Sequence, residues 1–510
     1  MKKKNILLYV SILIGMFLYS CSDSFLEEDR NPNILSPSVF WQSEQDIMKG
    51  LTSAYAAMQP NASWGVPFER YIVIDNYRSD ETHFRADVSS WMNIAMFTND
   101  ANNSVTRKEW TNLYKGINYA NQCLDNIPNV PGDNASLVDL KKQAIAEARF
   151  LRAFFYFRLY INFGERIPIF LHELKGTEEE FYPDQAQPGE LVKLIESELI
   201  EVQKDLPKTY NAETEGGRAT RYAAAAVLGR FYMFRNEMDK AEKEFEKLIG
   251  QFELMDNYAD NFNGLNKNNK ESVLEVQFYG SREGGQSEYN LFAIHLAPFA
   301  AYGGGYEEAY PTDWLFELMK TDLTIDGEYS DRLLSTIIFD DPKCRPTYYD
   351  EDKTFSDYHS PGQFFWHKFV TWDPSLGPAW YYSGYNFTII RYAEVLLSYA
   401  ECLNHRGQTV EAIKYINEVR ARAKVVQLPT TLSKEQVLKH LQEVERPCEL
   451  ALEGTRWYDL IRWGIVAETL IANNKPHVEN YVGTKHTLLP IPHEEFLLNP
   501  DWEQNPNYSK

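Results

Sequence analysis

The stretch LGRFYMFRNEMDKAEKEFEKLI, residues 228–249, has the pattern of two helices folded into a hairpin. Small residues stand at Gly229 and Ala241, where they let two helices cross closely. Large residues fill the gaps between such hairpins, and here they are Leu228, Tyr232 and Phe245. The stretch therefore predicts a helical hairpin.

A second stretch, LLSYAECLNHRGQTVEAIKYINEV at residues 396–419, repeats this pattern. Its matching positions are Leu396, Tyr399, Ala400, Leu403, Ala412 and Ile416. Both stretches have the spacing of a tetratricopeptide repeat. They lie 171 residues apart (412 − 241), so they do not form an uninterrupted tandem array. The alternative is a pair of generic helical hairpins.

Long amphipathic helices are predicted in the N-terminal half as well. EWTNLYKGINYANQCLDNI, residues 109–127, carries apolar side chains at i, i+3, i+4 and i+7 spacing. LKKQAIAEARFLRAFFYFRLYINFG, residues 140–164, is a second such helix, which ends at Gly164 with Pro168 beyond it. A helical pattern therefore extends over much of the chain.

Between the two hairpins, residues 271–385 show strand and turn patterns instead of the helical pattern found elsewhere in the chain. SVLEVQFYG, residues 272–280, alternates like a short strand. Glycine clusters such as Gly303-Gly304-Gly305 and the stretch TWDPSLGPAWYYSGYN indicate turns. A long loop-rich insertion in a helical protein usually has a functional role.

The first residues have the features of a secretory signal. Lys2, Lys3 and Lys4 precede an almost wholly apolar run, 6–18, that is too short to span a bilayer as a mature helix. The segment ends in Leu-Tyr-Ser before Cys21, an arrangement similar to a bacterial lipobox. This predicts lipidation of Cys21 and attachment to a membrane through that lipid; the alternative is an ordinary cleavage site beside an unmodified cysteine.

Composition restricts the partners further. The formal net charge is −22 and becomes −25 when residues 1–20 and their three lysines are removed. Such an excess of acid argues against nucleic acid as the main partner. Four further cysteines, Cys123, Cys344, Cys402 and Cys448, have neither disulfide nor zinc spacing, and Cys402 is expected to be a buried free thiol.

Several motifs in order resemble the SusD/RagB family of outer-membrane nutrient-binding lipoproteins. They include AEARFLRAFFYFRLYINFGERIPI, GRATRYAAAAVLGRFYM, YNFTIIRYAEVLLSYAECLN, ERPCELALEGTRWYDLIRWG and LLPIPHEEFLLNPDWEQNPNY. The resemblance covers nearly the whole mature chain. It implies an all-α fold with four tetratricopeptide-like hairpins and an irregular region that carries the binding surface.

The resemblance also implies a division of the chain. Residues 1–20 are a lipoprotein signal peptide and 21–36 a lipidated tether. Residues 37–510 are a single SusD-like domain. Its parts are an N-terminal helical part (37–270), a loop-rich ligand-binding part (271–388) and a C-terminal helical part (389–510).

The motif ELALEGTRWYDLIRWG, residues 449–464, has the composition of scaffold. Its apolar face includes Trp457, and both Trp457 and Trp463 are expected in the core. The charged residues Glu453, Arg456, Asp459 and Arg462 are spaced for i,i+3 ion pairs along a helix.

Catalytic and cofactor motifs are missing from the sequence. GQSEY lacks the last glycine of a nucleophile elbow, and HEEFL lacks the second histidine of a zinc protease. Acid clusters such as Asp340-Asp341 could supply a glycosidase pair, but charge on solvated loops is the better explanation. We therefore expect no enzyme and no cofactor.

Aromatic residues on loops are the best candidates for a binding surface. Ten aromatics lie between Phe278 and Phe316, among them Tyr302, Tyr306, Tyr310 and Trp314. Flat rings with polar edges suit the apolar faces and polar rims of sugars. A second candidate is YRSDETHFRADVSSWMN, residues 77–93, in which Asp80 and Arg85 would bind hydroxyls and Trp91 would stack. The resemblance implies that both regions contribute to one site; the alternative is that Trp91 and Trp314 are core anchors.

These features predict a non-catalytic cell-surface lipoprotein that binds oligosaccharide. The resemblance further implies a TonB-dependent outer-membrane barrel as the partner that receives the sugar. Two rivals remain: a member of the same family that binds peptides, and an interaction scaffold that binds a protein segment through its tetratricopeptide-like hairpins.

Overall fold

The computed structural model describes residues 40–59, 68–176, 182–279, 290–299, 304–344, 352–370 and 384–510. Helices dominate its regular structure, which confirms the predicted all-α class. In chain order the α-helices are α1 (Glu44–Ala56), α2 (Ser89–Ala95), α3 (Ser104–Asn126), α4 (Ala135–Phe163), α5 (Glu190–Val202), α6 (Ala212–Glu215), α7 (Arg221–Phe234), α8 (Met238–Glu246), α9 (Phe292–Leu296), α10 (Asp313–Thr321), α11 (Asp331–Thr336), α12 (Phe355–Tyr358), α13 (Tyr392–His405), α14 (Thr409–Arg422), α15 (Lys434–His440), α16 (Arg446–Leu450), α17 (Arg456–Trp463), α18 (Val466–Ala472), α19 (Gly483–His486) and α20 (His493–Leu498). Glu69–Ile74 and Leu441–Glu445 are π-helical turns.

The two longest helices of the described ranges, α3 and α4, lie where long helices were predicted and pack against each other. Helix α3 is amphipathic, as predicted, but the amphipathic character predicted for α4 is wrong, because nearly every residue from Ala148 to Phe163 is buried. The side chain of Asn103 caps α3 and that of Asn134 caps α4, each by accepting hydrogen bonds from first-turn amides. Helix α4 ends before Gly164, as predicted, at a φ of 80° that favours glycine. A Cβ at Gly116 would lie 2.6 Å from the ring of Phe155, so this glycine permits the close helix crossing.

Both predicted hairpins are present. Helix α7 packs on α8, and α13 packs on α14. A Cβ at Gly229 would lie only 2.7 Å from the ring of Phe245, which explains the small residue at this crossing. Ala400 and Ala412 are fully buried where the second pair of helices meets. The tetratricopeptide-like spacing thus identified two real helical hairpins.

Within the described ranges, six short strands form three separate antiparallel pairs. The strands are β1 (Thr82–Phe84), β2 (Ser272–Val276), β3 (Ala309–Pro311), β4 (Ile337–Ile338), β5 (Phe365–Trp366) and β6 (Phe387–Arg391). Strand β1 pairs with β3, β2 with β6 and β4 with β5. The strand predicted near residue 272 is β2, and the central region otherwise consists of short helices and loops.

A buried ionic network joins the central region to the C-terminal helices. Its cations are Arg332, Arg391, Arg420 and Arg422, and its acids are Glu271, Asp322, Glu445, Glu449 and Glu453. Arg332 Nη2 lies 2.6 Å from Glu445 Oε1, and Arg391 Nη1 lies 2.8 Å from Glu271 Oε1 and 2.6 Å from Glu449 Oε1. Removing one partner of a buried pair leaves the other charge buried without a partner, which is costly. The network therefore strongly restrains how the two regions pack.

The i,i+3 ion pairs predicted within residues 453–462 form only in part. Arg462 Nε lies 2.9 Å from Asp459 Oδ1, as predicted. Glu453 instead lies 2.7 Å from Arg391 Nε, and Arg456 pairs with a residue of the N-terminal half. The reason is that α17 begins at Arg456, so Glu453 precedes the helix and does not share its face.

Several predictions about buried residues hold. Trp457 is fully buried, whereas Trp463 is half-buried and donates from Nε1 to Glu401 Oε1 at 2.7 Å. The described cysteines are all buried free thiols: Cys123, Cys344, Cys402 and Cys448. Among the described ranges, no helix has the length and apolar character needed to cross a bilayer.

Candidate functional site

Strand pairing brings the two predicted ligand regions together. β1 comes from the N-terminal loop and β3 from the central region, and His83 lies opposite Tyr310 in their register. The backbone amide of Arg85 extends the ladder by donating to Glu308 O at 2.9 Å. Two segments 227 positions apart (310 − 83) therefore share one surface.

Buried polar groups hold this ladder from behind. The Tyr77 hydroxyl donates to Glu308 O at 2.8 Å, and Thr312 Oγ1 donates to Asp80 O at 2.8 Å. Lys475 Nζ donates to the carbonyl oxygens of Tyr77 and Thr82 at 2.6 and 2.7 Å. Since these bonds use backbone carbonyls, they fix the strand positions without using side chains of the outer face.

Arg85 is the cation of this surface, and its side chain is 24% exposed. Its Nη2 lies 3.0 Å from Glu308 Oε1 and also contacts the Asp87 carboxylate. Its Nη1 donates to Tyr306 O. The guanidinium thus ties the loop after β1 to the segment before β3.

Phe299 lies directly against Arg85. The guanidinium carbon sits 4.9 Å from the centre of the Phe299 ring, a cation–π contact. The Phe299 side chain is 57% exposed, and its backbone amide donates to Glu307 Oε2 at 2.9 Å. A large exposed ring held at its backbone and supported by a cation is a suitable platform for a ligand ring.

Two of the predicted tyrosines complete the surface. Tyr306 is half-buried, and its ring packs edge-on against His295 with 5.5 Å between ring centres. Tyr310 is half-buried in β3; burial, reinforced by the Glu307 carboxylate, raises the pKa of its hydroxyl to about 12. Tyr310 therefore remains a neutral hydrogen-bonding group at physiological pH.

A groove of about 530 Å³ opens on this face of β1, β3 and β5. Its lining includes His83, Phe84, Tyr310, Gln363, Phe364 and His477. Burial lowers the pKa of His83 to about 4, so its imidazole is neutral at physiological pH. The groove combines aromatic faces with hydrogen-bonding groups, and its lining also includes the Glu307 side chain, which suits a ligand rich in hydroxyl groups better than an anion.

The charges around Arg85 offset one another. Burial raises the pKa of Glu308 to about 8, outweighing the opposite effect of Arg85. Burial also raises the pKa of Asp87, but its bond to Arg85 outweighs that effect and leaves the pKa below its ordinary value. Near neutral pH, ionised Asp87 therefore balances Arg85 while Glu308 largely keeps its proton.

The prediction that Asp80 is exposed and available to a ligand is wrong. Its side chain is 1% exposed and accepts hydrogen bonds from Arg456 Nε and Nη2, both at 2.8 Å. Asn473 Nδ2 donates to the same carboxylate at 2.7 Å. Because its oxygens already accept three hydrogen bonds inside the protein, Asp80 has a structural role.

The exposure predicted for Trp91 is also wrong, and the core-anchor alternative holds for it. Trp91 is 3% exposed and donates from Nε1 to Glu69 Oε1 at 2.9 Å. Its ring packs against Phe68 and His295, with ring centres 5.2 and 5.3 Å apart. Trp91 therefore supports the surface from beneath, through the histidine that contacts Tyr306.

The remaining predicted residues fall in three groups. Arg85, Tyr306 and Tyr310 lie together on the surface, and their role in ligand binding stays a prediction. Trp314 is half-buried beneath the guanidinium of Arg456, at 5.2 Å. Tyr302 and the proposed lipidation site Cys21 lie outside the described residues. Within the described ranges, no cluster of acid, histidine and cysteine side chains suits a metal ion.

Phe299 and His83 belong to the candidate site but were not predicted from the sequence. Phe299 belongs to the aromatic-rich stretch that drew attention to Tyr306, so composition alone could have included it. His83 carries no such signal, because its place in the groove depends on the pairing of β1 with β3.

Two family models together match most of the chain. A model of the SusD family matches residues 270–508, and a model described as starch-binding, associating with the outer membrane, matches residues 24–233. A SusD-like protein of Formosa agariphila is 27% identical over 98% of this chain and 98% of its own length.

Solved structures give the same match at the level of the fold. A SusD superfamily protein from Bacteroides vulgatus superposes with a TM-score of 0.81 at 25% identity, over 92% of this chain and all of that one. A laminarin-binding SusD-like protein superposes with a TM-score of 0.75 at 25% identity, with the same coverage of both chains.

Proposed function

Because this chain belongs to the SusD/RagB family, we propose that it is a non-catalytic, cell-surface lipoprotein that binds glycans. Its ligand surface is formed by Arg85, Phe299, Tyr306 and Tyr310. The observation that carries this proposal is the pairing of β1 with β3, which joins two distant segments beside a groove lined by His83 and Tyr310, with Arg85 contacting Phe299 and the backbone of Tyr306 next to it.

The exposed aromatic rings favour a sugar as the ligand. Phe299 offers a face for stacking on the apolar side of a pyranose ring, and the Tyr310 hydroxyl, which donates to Glu307, offers an acceptor for sugar hydroxyls. Aromatic residues of this kind supply contact area at low conformational cost. A peptide, the first rival ligand, would instead need charged groups free to bind its termini.

Charge balance favours a neutral glycan over an anionic one. The positive charge of Arg85 is matched by Asp87, so the surface offers no uncompensated cation to a sulfate or uronate. Binding through stacking and neutral hydrogen bonds should vary little with salt. A solved relative named for laminarin binding makes laminarin fragments the first ligands to test.

Titration calorimetry tests the proposal with laminarihexaose, maltohexaose and a pool of short peptides. We expect saturable binding of a neutral hexasaccharide with similar affinity at low and high salt. Phe299→Ala should weaken it by about 1–3 kcal/mol, as for other exposed aromatic hot spots. Tyr182→Ala is the matched control, because both rings are 57% exposed and Tyr182 lies in another segment.

Three results would contradict this function. They are binding of peptides alone, steep weakening of binding with salt, and equal affinity in Phe299→Ala and the unmodified protein. Release of reducing sugar from a bound hexasaccharide would contradict the non-catalytic part of the proposal.

We further propose that lipidated Cys21 attaches the protein to the outer membrane and that a TonB-dependent barrel receives the glycan. Tethering two binding partners to one membrane raises their effective concentration, so weak contacts suffice for transfer. Purification of the tagged protein in mild detergent should recover a barrel of this class. Recovery of unrelated proteins alone would favour the scaffold alternative.

A further inference from the structure

Arg78 is a fully buried arginine that forms no ion pair with any described carboxylate. Its side chain is 1% exposed. Nε and Nη2 donate to Ile74 O, and Nη2 also donates to Asn162 Oδ1 at 3.0 Å. Nη1 has no hydrogen-bond partner within the described part of the chain. An unpaired charge in a protein interior is costly, so a further group is expected to bind this guanidinium.

The nearest acid does not neutralise Arg78. Asp75 is close enough to act on its charge, but the Asp75 carboxylate is bound by Arg158 at 2.8 and 3.0 Å. It also accepts the Tyr458 hydroxyl at 2.7 Å. Asp75 and Arg158 therefore pair with each other, and Arg78 forms no ion pair of its own; its charge is offset only by Asp75 at longer range, by the Tyr458 and Tyr508 side chains and by the face of the Trp457 ring.

Two further buried donors in the same cluster lack acceptors among the described residues. The Arg78 guanidinium lies 4.8 Å from the centre of the Trp457 ring, and Trp457 Nε1 has no partner. His486 Nδ1 accepts the backbone amide of Val482 at 2.9 Å, so in the neutral ring Nε2 carries the hydrogen. That Nε2–H also has no partner.

The surroundings of these donors are mainly aromatic, with the Tyr508 ring centre 6.2 Å from that of His486. The Phe97 ring centre lies 6.0 Å from that of Trp457 and 5.6 Å from that of His486, and the Tyr481 ring packs against all three. Burial, then Lys485 and Arg78, lowers the pKa of His486 to about 4, so His486 is neutral at physiological pH. Aromatic rings present positive edges, which tolerate an anion better than a cation.

We propose that a small monovalent anion of chloride size binds beside Arg78 Nη1, within the cluster formed by Trp457, His486, Phe97 and Tyr481. The unpaired guanidinium supplies the charge, and the indole and imidazole N–H groups supply further donors. Rings packed this closely favour a monoatomic ion over a carboxylate or an oxyanion.

The position of the site gives the anion a structural role. Arg78 belongs to the N-terminal half, Trp457 to α17 and His486 to α19. An anion bound among them joins three separated segments and holds the C-terminal part against the body. Because it binds only the folded protein, it should raise the melting temperature with its concentration.

Bromide provides a direct test, since it replaces chloride and scatters anomalously. Crystals of the unmodified protein in sodium bromide should show an anomalous peak in contact with Arg78 Nη1. Absence of the peak, or a water molecule alone in that position, would overturn the proposal.

Thermal unfolding provides the second test. At constant ionic strength, replacing gluconate by chloride should raise the melting temperature of the unmodified protein and leave that of Arg78→Met unchanged. Arg107→Met is the control, because it also removes one arginine charge but from a half-exposed side chain that pairs with Glu494 at the surface. This control should keep the chloride response.

If Arg78→Met does not fold, His486→Phe takes its place, because it keeps a ring in the cluster and removes one donor. Its chloride response should be smaller than that of the unmodified protein. Equal responses in the unmodified protein and in the site variant would refute the anion site.

Discussion

Asp80 and Arg456 are 376 positions apart in the chain, and their side chains form a two-pronged ion pair with both N–O distances at 2.8 Å. Asp80 precedes β1, and Arg456 begins α17. The pair therefore joins the loop that carries the candidate site to the C-terminal helices. A residue that looked like a ligand contact is instead an anchor of the fold.

Breaking this pair should destabilise the protein more than any surface change. Asp80→Ala leaves the guanidinium of Arg456 buried without its partner, which typically costs about 3–5 kcal/mol. Urea unfolding measures the loss. The control is Asp256→Ala, which removes an acid that is 90% exposed and pairs with Lys270, and it should leave the midpoint unchanged. Similar midpoints in the two variants would contradict the structural role of Asp80.

Trp91→Ala should affect folding first. Removing a buried tryptophan leaves a large cavity and typically costs about 3–5 kcal/mol. Thermal unfolding should show a markedly lower midpoint for Trp91→Ala. Phe299→Ala, which truncates an exposed ring, should melt like the unmodified protein. An unchanged midpoint for Trp91→Ala would argue against its place in the core.

The crossing of α7 and α8 should not tolerate even a methyl group. Gly229→Ala places a Cβ 2.7 Å from the Phe245 ring, and overpacking of this kind costs about 1–3 kcal/mol. Gly483→Ala is the control, because the nearest atom to its Cβ lies at 3.8 Å. Urea unfolding measures this effect: the midpoint concentration should be lower for Gly229→Ala than for Gly483→Ala. The reverse order would contradict the close crossing.

Acid should weaken the buried network. Burial raises the pKa of Glu449, but Arg422, Arg391 and Arg332 outweigh burial and bring it down to about 2. In the unfolded chain the pKa returns to its ordinary value of 4.5. Since the folded pKa is the lower one, this stabilisation is present above pH 4.5 and is lost as pH falls towards 2. The loss for this group is about 3 kcal/mol.

Unfolding midpoints in urea at pH 6.5, 4.5 and 3 measure this effect. Glu449→Gln should be less stable than the unmodified protein at pH 6.5 and should lose less on acidification. Parallel pH profiles for the two proteins would show that Glu449 does not contribute.

Lipidation makes a separate prediction. Cys21→Ala should yield a folded protein that no longer fractionates with membranes, because an acyl-modified cysteine would be the anchor. Membrane fractionation followed by immunoblotting measures this, and the melting temperature of the variant checks its fold. Continued association of Cys21→Ala with membranes would contradict the lipobox assignment.

The helical scaffold was predictable because its signals are local. Gly229, Ala241 and Phe245 lie within one hairpin, so their spacing reports their contacts directly. The stop of α4 at Gly164 is local for the same reason. Patterns within some twenty residues need no knowledge of the rest of the chain.

The candidate site was predictable only by region. Arg85 and Tyr310 lie in stretches rich in loop and aromatic residues, which sequence can detect. The burial of Asp80 depends on Arg456, a partner that no local pattern reveals. Likewise, the three residues of β1 are too few to predict a strand, since the pairing with β3 supplies the order.

The β1–β3 ladder also bears on how such a surface can evolve. Its backbone is held by hydrogen bonds to carbonyl and amide groups, including those from Lys475, Tyr77 and Thr312. None of these bonds involves the side chains of His83 or Tyr310. Under the proposed function, substitutions at those positions can therefore change which sugar is bound while the architecture persists. Under that function, related proteins can differ in binding specificity by exchanging a few side chains on the same backbone.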